Sequence, residues 1–523
     1  MIEAESKITL RRFHAARWNE PIILELGSPG QRGIHVPPVE PELAAEVGPV
    51  AVPESMRRRQ PPALPELAQH QVLRHYLRLT QETHSLDLAL AIGEGTCTLK
   101  YNPRVNEEIA RLPQVADLHP LQDEATVQGM LEVLYRLARY LCEISGMDEF
   151  SFQPGGGAHG VYTNASIIRA YHASRGQLGQ RDEIITTVFS HPCDGGCPAT
   201  AGFKVITLMP EETGYPSVEA LKAVLSERTA GLMITNPEDT GLYNPHVGEF
   251  TRLVHEAGGL CAYDQANGNP LLGIARARDA GFDLCQFNLH KTFGTPHSSI
   301  GQSCGAVGAT SALAPFLPVP VVVERNGRYA FDYDRPQSIG KVRQFYGNPQ
   351  TALKAYLWIR ALGAEGLRLV AQTAALNNSY LVKKISEIPG VALYYGEGKV
   401  RLDQARYSWE PLTRETGVGT QDIERRMVDY GVENYFPSHV PWLVPEPFTL
   451  EPAESNSKHD LDTFVEVLRR VAEEARTDPE LVKTAPHQST IGPIDEAAVN
   501  DPHRWAFTWR AYKAKGLDYA SSE

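Results

Sequence analysis

Two charged residues follow neighbouring predicted strands, in an order that suits covalent chemistry on an aldehyde cofactor. Asp264 lies in the apolar run GLCAYDQ, and Lys291 comes just after the next run, DLCQFNL. A lysine amine can form a Schiff base with pyridoxal phosphate, and a buried carboxylate keeps the pyridine nitrogen protonated, so that the ring accepts electrons from the substrate. Ala266 is small enough for the ring to lie against the sheet. Each residue alone would indicate a surface lysine or a helix-capping aspartate, but together they predict a pyridoxal-phosphate site.

A glycine-rich turn predicts where the phosphate of this cofactor binds. Gly155–Gly157 lead into Ala158 and His159 at the start of a predicted helix. Backbone N–H groups at a helix N-terminus attract anions, and glycines let a phosphate approach closely. Thr235 ends another predicted strand, and ligands of open α/β sheets bind beyond the carboxyl ends of the strands. We therefore expect these residues to lie at the same edge of the sheet as Asp264 and Lys291.

The elements that must position these residues alternate between short β-branched runs and helical patterns. Such alternation predicts an α/β domain with a mostly parallel sheet. The predicted strands are residues 183–189, 203–209, 230–236, 259–265 and 283–289, and the predicted helices between or before them are 127–144, 217–228 and 248–258.

The chain of 523 residues is long enough for several compact units. We predict an irregular N-terminal arm and then a helix over 1–90, because the eight prolines between Pro37 and Pro65 cannot lie in helix interiors or central strands. A large cofactor-binding α/β domain is predicted over 91–344. A smaller α+β domain with an irregular tail is predicted over 345–523.

Composition excludes several classes of partner. The formal charge of −13 argues against binding to nucleic acid or to anionic membranes, which attract basic surfaces. The chain has no run of about 18 apolar residues, so no membrane span is predicted. The N-terminal residues lack the apolar stretch of a secretory signal. We expect a cytoplasmic protein.

Seven cysteines are too few and too scattered for a disulfide framework. Cys193 and Cys197 form the one close pair, and with His191 they could bind zinc. No second Cys/His pair follows at a spacing typical of zinc sites. Unligated thiols in a loop beside the active site are the alternative, and we predict no metal.

The ordered motifs of the chain resemble those of the glycine decarboxylase P-protein, in its pyridoxal-phosphate-carrying C-terminal half, which many bacteria make as a separate subunit 2. The motifs that carry the resemblance are GTCTLKYNP, ADLHPLQ, TVQG, GAHG, IIRAYH, TNP, DQAN, NLHKTF, FDYDRPQSIGKVRQFYGN and TAPH. The resemblance covers nearly the whole chain. It implies an aspartate-aminotransferase-like enzyme of fold type I, with its site at the interface of a homodimer or of a heteromer with a subunit 1-like chain.

The resemblance also implies roles for individual residues. Lys291 would be the Schiff-base lysine, with Asp264 at the pyridinium and Ala266 at the ring. His191 would stack on the ring and, with His159, could relay protons. The further residues implied to contact the cofactor are Gly157, Ala158, Thr235 and His290. The residues expected near the substrate are Thr96, Cys97, Thr98, Ser298 and Ser299.

The chain departs from the family around the expected site. The family's PHGGGGPG reads PHSSIGQS over Pro296–Ser303, and the family's SAHGSNPA-like segment is about three residues longer over Ser190–Ala199. Gly268 replaces a leucine, and the family's EPTETE reads EPAESN from Glu451. Because these changes cluster where substrate and lipoyl arm should meet the cofactor, we expect that cofactor binding is kept and that the substrate site is remodelled.

Three functions follow from these expectations. The first is a repurposed biosynthetic enzyme that carries an amino acid larger than glycine through an external aldimine and a quinonoid carbanion to elimination, substitution or bond formation, with a possible second small-molecule reactant. The second is glycine dehydrogenase (decarboxylating) subunit 2, which passes an aminomethyl group to a lipoyl carrier protein. The third is a catalytically silent partner subunit.

Overall fold

The structure is a computed structural model of the chain. It describes residues 8–48, 52–60, 62, 64–84, 88–93, 97, 100–295, 303–433, 435 and 437–516. Within these ranges, no helix combines the length and the apolar character needed to cross a membrane.

The regular elements follow the predicted alternation of strands and helices. The strands are β1 (Glu149–Ser151), β2 (Glu183–Thr187), β3 (Lys204–Leu208), β4 (Thr229–Thr235), β5 (Leu260–Gln265), β6 (Leu284–Asn288), β7 (Gly305–Ala309), β8 (Val321–Arg325), β9 (Arg328–Asp332), β10 (Ala392–Leu393), β11 (Ala405–Ser408) and β12 (Pro447–Leu450). The helices are α1 (Pro41–Val47), α2 (Gln69–Glu82), α3 (Arg104–Ala110), α4 (Pro113–Ala116), α5 (Gln128–Ser145), α6 (Gly157–Ser174), α7 (Cys193–Thr200), α8 (Val218–Val224), α9 (Val247–Glu256), α10 (Pro349–Ser386), α11 (Glu410–Thr416), α12 (Thr420–Val428), α13 (Lys458–Thr477), α14 (Pro479–Lys483), α15 (Glu496–Val499) and α16 (Trp509–Ala514).

A seven-stranded sheet organises the predicted α/β region. Its strand order is β1-β7-β6-β5-β4-β2-β3. The five predicted strands, β2 to β6, pair in parallel with one another, whereas β7 runs antiparallel to both β6 and β1. Every residue of β5, β6 and β7 is buried, as expected for strands covered on both faces. The prediction of a mostly parallel sheet is confirmed.

The register of the central strands determines which side chains meet at the carboxyl edge of the sheet. Thr235, the last residue of β4, pairs with Asp264 near the end of β5. Asp264 in turn pairs with Gln286 of β6. Since β4, β5 and β6 all end at this edge, the turns that follow them converge there.

The C-terminal region contains a second, smaller sheet with the order β10-β11-β12. The long helix α10 breaks at Gly363, where φ is 64° and ψ is −176°. Strands β11 and β12 were not predicted, because ARYS and PFTL are short and lack a clear alternation of polar and apolar residues. Buried aromatic rings of Tyr407, Trp409 and Tyr435 pack against Phe448 in this sheet.

Contacts between Cα atoms divide the chain into two compact units. The first comprises Met1–Leu10, Leu90–Met427 and Val432–Lys483, and it holds the seven-stranded sheet, the three-stranded sheet and the β8-β9 pair. The second comprises Arg11–Ala89, Val428–Gly431 and Thr484–Glu523. Within the second unit, buried Glu20 accepts a hydrogen bond from His75 at 2.9 Å and pairs with Arg78 at 3.0 Å. The predicted boundary between residues 344 and 345 stays a prediction.

A glycine in the sheet yields a prediction about stability. Gly308 of β7 lies opposite Phe150, and a Cβ atom there would overlap the phenylalanine ring. We expect Gly308→Ala to lower the free energy of unfolding by about 1–3 kcal/mol, the usual cost of overpacking a core. Gly129→Ala in α5 is the matched control, because nothing lies within 4 Å of the added Cβ atom. Urea unfolding should show a lower midpoint for Gly308→Ala only, and equal midpoints would contradict the packing described.

Candidate active site

Asp264 is a buried carboxylate at the carboxyl edge of the sheet, with 4% of its surface exposed. Its Oδ1 atom accepts a hydrogen bond from the Ala266 backbone N–H at 2.9 Å and another from the side-chain amide of Gln286. Its Oδ2 atom lies 3.9 Å from the Cys193 sulfur. Hydrogen-bond donors therefore hold the carboxylate in one orientation from two sides.

Gln286 was missed from the sequence, although a polar residue in the apolar run LCQFN is a signal that could have found it. Its amide is fully buried between β6 and α6. At Gly160 of α6, a Cβ atom would lie 2.8 Å from Gln286 Oε1. The glycine in the helix thus makes room for the glutamine that orients Asp264.

Lys291 lies in the turn after β6 and is 6% exposed. Its backbone N–H donates to the Asn288 carbonyl at 3.0 Å, which closes the turn. The next residue, Thr292, accepts a hydrogen bond from the Gly268 backbone N–H at 2.8 Å. The amine of Lys291 is close enough to His191 to lower the pKa of that imidazole. A buried primary amine therefore shares this edge of the sheet with a buried carboxylate.

His191 follows β2 and is tied to the end of β4. Its backbone N–H lies 3.3 Å from Thr235 Oγ1, and its Nδ1 atom lies 2.9 Å from the Cys193 sulfur. Burial is the main reason why the pKa of His191 lies below the usual value for histidine. Lys291 lowers the pKa further, whereas Asp239 and Asp264 oppose the shift. A neutral imidazole is thus favoured at this position.

The segment Ser190–Ala199, which we expect to be longer than in the family, contains most of the helix α7. Asp194, 1% exposed, accepts a hydrogen bond from Thr235 Oγ1 at 3.0 Å, and its Oδ1 atom has no hydrogen-bond partner among the described residues. Burial and then the negative charge of Asp264 raise the pKa of Asp194 well above the usual range. This segment therefore brings a carboxyl group that favours its neutral form close to Asp264.

The predicted zinc alternative used His191, Cys193 and Cys197. The ligand-type atoms that lie within 4.8 Å of one another are instead those of Cys193, Asp194 and Asp264. The Cys197 sulfur lies 3.2 Å from the carbonyl oxygen of Ala158. Both thiols thus connect α7 to neighbouring elements, and the absence of a metal stays a prediction.

The glycine-rich turn lies at the N-terminus of the 18-residue helix α6. The backbone N–H of Gly155 donates to His159 Nδ1 at 3.1 Å. A Cβ atom at Gly157 would lie 3.0 Å from the Asn288 amide nitrogen. Burial lowers the pKa of His159, so its neutral ring is suited to accept this hydrogen bond. The turn is therefore a narrow cradle of backbone at the end of a helix dipole.

His290, next to Lys291, also borders this cradle. It is 4% exposed, and its Nδ1 atom accepts a hydrogen bond from the Cys304 backbone N–H at 3.0 Å. Its ring carbon Cε1 lies 3.8 Å from the position of a Cβ atom at Gly156. The Ser303 hydroxyl hydrogen-bonds to the Gly155 carbonyl on the same side.

The predicted substrate contacts are mostly outside the described residues. Thr96, Thr98, Ser298 and Ser299 lie there, and their assignment stays a prediction. Cys97 is partly buried. At the departure in DQANGN, a Cβ atom on Gly268 would lie 3.1 Å from the Phe287 ring, so a leucine there would require this ring to move.

A second group of charged residues was not predicted and lies beside His191. Asp239, in the turn after β4, is 2% exposed and binds Arg406 of β11 at 3.0 Å. His439 Nδ1 lies 3.2 Å from the same Asp239 oxygen. The His439 ring packs edge-on against the His191 ring, with 5.3 Å between the ring centroids. We call Asp239, Arg406 and His439 the outer triad.

A further buried acid lies near Lys291. Asp403 and Glu451 both accept hydrogen bonds from the Asn267 side-chain amide, at 2.5 Å and 2.7 Å. Burial raises the pKa of Asp403 to about 7, and Lys291 opposes this shift. Asn267 thus connects the loop after β5 to residues that flank two strands of the smaller sheet.

Comparison with known proteins decides the family. The chain is 42% identical over 505 residues to the probable glycine dehydrogenase (decarboxylating) subunit 2 of Pyrococcus horikoshii, which covers 96% of this chain and 98% of that protein. The chain belongs to the glycine dehydrogenase (decarboxylating) subunit 2 family. A relative of the same name from Caldanaerobacter subterraneus is 43% identical over 92% of this chain and 98% of its own. The sequence profile of the glycine dehydrogenase C-terminal domain matches residues 370–490.

Solved structures show the same fold at low sequence identity. A glycine decarboxylase (P-protein) in inhibitor-bound form matches with a TM-score of 0.70 and 19% identity, covering 84% of this chain and 100% of that one. A cysteine desulfurase from Escherichia coli matches with a TM-score of 0.56 and 16% identity, covering 75% of this chain and 97% of that one. The predicted fold type I is confirmed.

This family member is a pyridoxal-phosphate enzyme, as the sequence predicted. The described residues fit that cofactor on chemical grounds. A buried amine at Lys291 suits its aldehyde, a buried carboxylate at Asp264 suits its pyridinium, and the backbone cradle at the start of α6 suits its phosphate.

The contact between Gln286 and Asp264 yields a prediction about cofactor affinity. Gln286→Leu removes a donor to a buried carboxylate, and hydrogen bonds to charged groups contribute about 1.5–3 kcal/mol. We expect pyridoxal phosphate to bind about 10- to 100-fold more weakly, measured by titrating the apoprotein with the cofactor and following its absorbance. Gln128→Leu is the control, since its amide donates only to backbone carbonyls of Glu124 and Tyr329 in the contacts described. Equal affinities in the two variants would contradict the orienting role of Gln286.

Proposed function

We propose that this chain is the pyridoxal-phosphate-carrying subunit of a glycine decarboxylase, which releases CO2 from glycine and transfers the remaining aminomethyl group to a lipoyl carrier protein. The observation that carries the proposal is the identity of 42% over nearly the whole length of both chains. The relatives are named as subunit 2, which supports a partner chain of the subunit 1 type. Of the functions considered from the sequence, this one has more support than a repurposed enzyme.

The cofactor would be held at three points. Lys291 would bind its aldehyde, Asp264 with Gln286 behind it would face the pyridine nitrogen, and the backbone of Gly155–Gly157 would bind the phosphate. Bound in this way, pyridoxal phosphate supplies an electron-accepting ring that stabilises negative charge at the α-carbon of an amino acid. Ala266 would leave space for the ring.

Side chains of this protein would carry out the proton transfers. His191 is a candidate base. Burial lowers its pKa, so its ring favours the neutral form, in which one nitrogen has a lone pair that can accept a proton. The amine of Lys291 is a second base once it is released from the cofactor. His159 is less suited, since its Nδ1 atom accepts the hydrogen bond of Gly155. We assign His191 and Lys291 the proton transfers in the site.

A second candidate function is the repurposed enzyme acting on an amino acid larger than glycine. The observation that favours it is helix α7, where the longer segment brings Cys193 and Asp194 against Thr235 and Asp264. These polar groups give the site a wall that could contact a larger side chain. The two candidates differ in the amino acid that perturbs the bound cofactor.

Borohydride reduction tests the role of Lys291. We expect the holoenzyme to lose its yellow colour and to carry the reduced cofactor on the peptide that contains Lys291. Lys291→Arg should prevent this labelling and lower activity at least about 100-fold, as for the loss of a catalytic proton-transfer group. Lys354→Arg is the control, because this buried lysine pairs with Glu107 at 2.6 Å. Labelling of another lysine would overturn the assignment.

Isotope exchange tests the substrate. In the presence of a lipoyl carrier and a subunit 1 chain, we expect the protein to exchange the carboxyl carbon of glycine with bicarbonate. Glycine should also shift the absorbance of the bound cofactor. Carbon exchange between glycine and bicarbonate, without an absorbance shift on adding larger amino acids, would support glycine decarboxylation. A spectral response to larger amino acids and none to glycine would overturn it in favour of the second candidate.

A further inference from the structure

Glycine decarboxylation requires protons to enter and leave a buried site. Glycine arrives with an ammonium group, which must release one proton before its nitrogen can act as a nucleophile. When the lipoyl disulfide opens, one sulfur bonds to the aminomethyl carbon and the other takes up one proton. The two transfers balance, but they occur at different atoms and at different times. A group that exchanges protons with solvent would serve both.

His439 of the outer triad is placed between solvent and His191. Its side chain is 25% exposed. Its ring lies edge-on to His191 at 5.3 Å between centroids, so the two imidazoles are in direct contact. The inner imidazole thus has an outer one beside it that reaches water.

Asp239 sets the chemical state of the outer imidazole. Its Oδ2 atom lies 3.2 Å from His439 Nδ1, so the neutral ring carries its proton on Nδ1 and leaves Nε2 as an acceptor. A carboxylate that orients a histidine in this way also stabilises the imidazolium that forms when Nε2 takes up a proton.

Arg406 makes it possible to bury this carboxylate. Its guanidinium, 1% exposed, lies 3.0 Å from Asp239 Oδ2. Burial by itself would raise the pKa of Asp239, but the contacts with His439 and Arg406 lower it below the usual range. Asp239 therefore keeps its negative charge next to His439.

The charged groups around the two imidazoles are consistent with transfer in both directions. Asp239 faces both rings, with Arg406 behind it. Lys291 lowers the proton affinity of His191, whereas Asp264 raises it.

We propose that His439 is a proton carrier of the active site, which exchanges protons between solvent and His191 while Asp239 positions its ring. The proposal rests on the proposed place of His191 beside the cofactor. His439 is not assigned a direct contact with substrate, and Asp239 is a positioning residue.

A pH jump on the holoenzyme measures proton entry without turnover. The absorbance of the bound cofactor reports protonation in the site, and stopped-flow mixing gives its rate. We expect His439→Ala to slow this rate at least about 10-fold, within the range of a lost proton-transfer group, and added free imidazole to restore it in proportion to concentration. Asp239→Asn should slow the rate less and should also respond to imidazole.

His255→Ala is the matched control. His255 forms a similar pair with Asp283, at 2.7 Å, but it lies at the end of α9, and Asp283 precedes β6, at the opposite edge of the sheet. We expect its pH-jump rate to equal that of the unmodified protein. If His439→Ala fails to bind the cofactor, His439→Gln, which keeps a hydrogen-bonding side chain, replaces it.

The outcomes separate this inference from the proposed function. A normal rate in a cofactor-bound His439 variant, or a slow rate that imidazole does not restore, would overturn the proton carrier. Absence of a lysine-bound cofactor in the unmodified protein would instead overturn the proposed function. A slow rate that imidazole restores, with His255→Ala unaffected, supports the carrier whichever amino acid is the substrate.

Discussion

The burial of a carboxylate at the carboxyl edge of the parallel sheet is the constraint on which the rest of the site depends. An ionised carboxylate removed from water is costly unless it is paired and hydrogen-bonded. Asp264 meets this requirement through the backbone N–H of Ala266 and the amide of Gln286. Gln286 needs the space that Gly160 leaves in α6. The buried charge of Asp264 thus requires a hydrogen-bond donor at Gln286 on β6. Gln286 in turn requires a residue without a side chain at Gly160 on α6.

The same constraint explains the order of charges around the site. Lys291 supplies a buried positive group on the next turn, and its influence reaches His191 and Asp403. The more distant Asp239 has its own cation in Arg406. Asp194, for which the described residues supply no such partner, favours its neutral form instead. Three buried acids near His191 thus differ in their surroundings: Asp264 is held by neutral hydrogen-bond donors, Asp239 is paired with a cation, and Asp194 favours protonation.

How much could be predicted depended on the sequence distance over which each contact is made. Strands β2 to β6 were recognisable because each is a local apolar run, and Lys291 and Asp264 because each follows such a run. Gln286 could have been recognised as a polar residue in an apolar strand. His439 could not, because its contacts with Asp239 and His191 join segments separated by 200 or more residues along the chain.

By itself, the sequence determined the fold class, the cofactor and the lysine and aspartate expected to hold it, because these follow from local periodicity and from ordered motifs. The tertiary structure decided which side chains support them. It placed Gln286 against Asp264 through strand register, and it brought Arg406 from the smaller sheet to a turn of the larger one. Such pairings depend on how the chain folds back on itself, and no pattern within a short window of sequence encodes them.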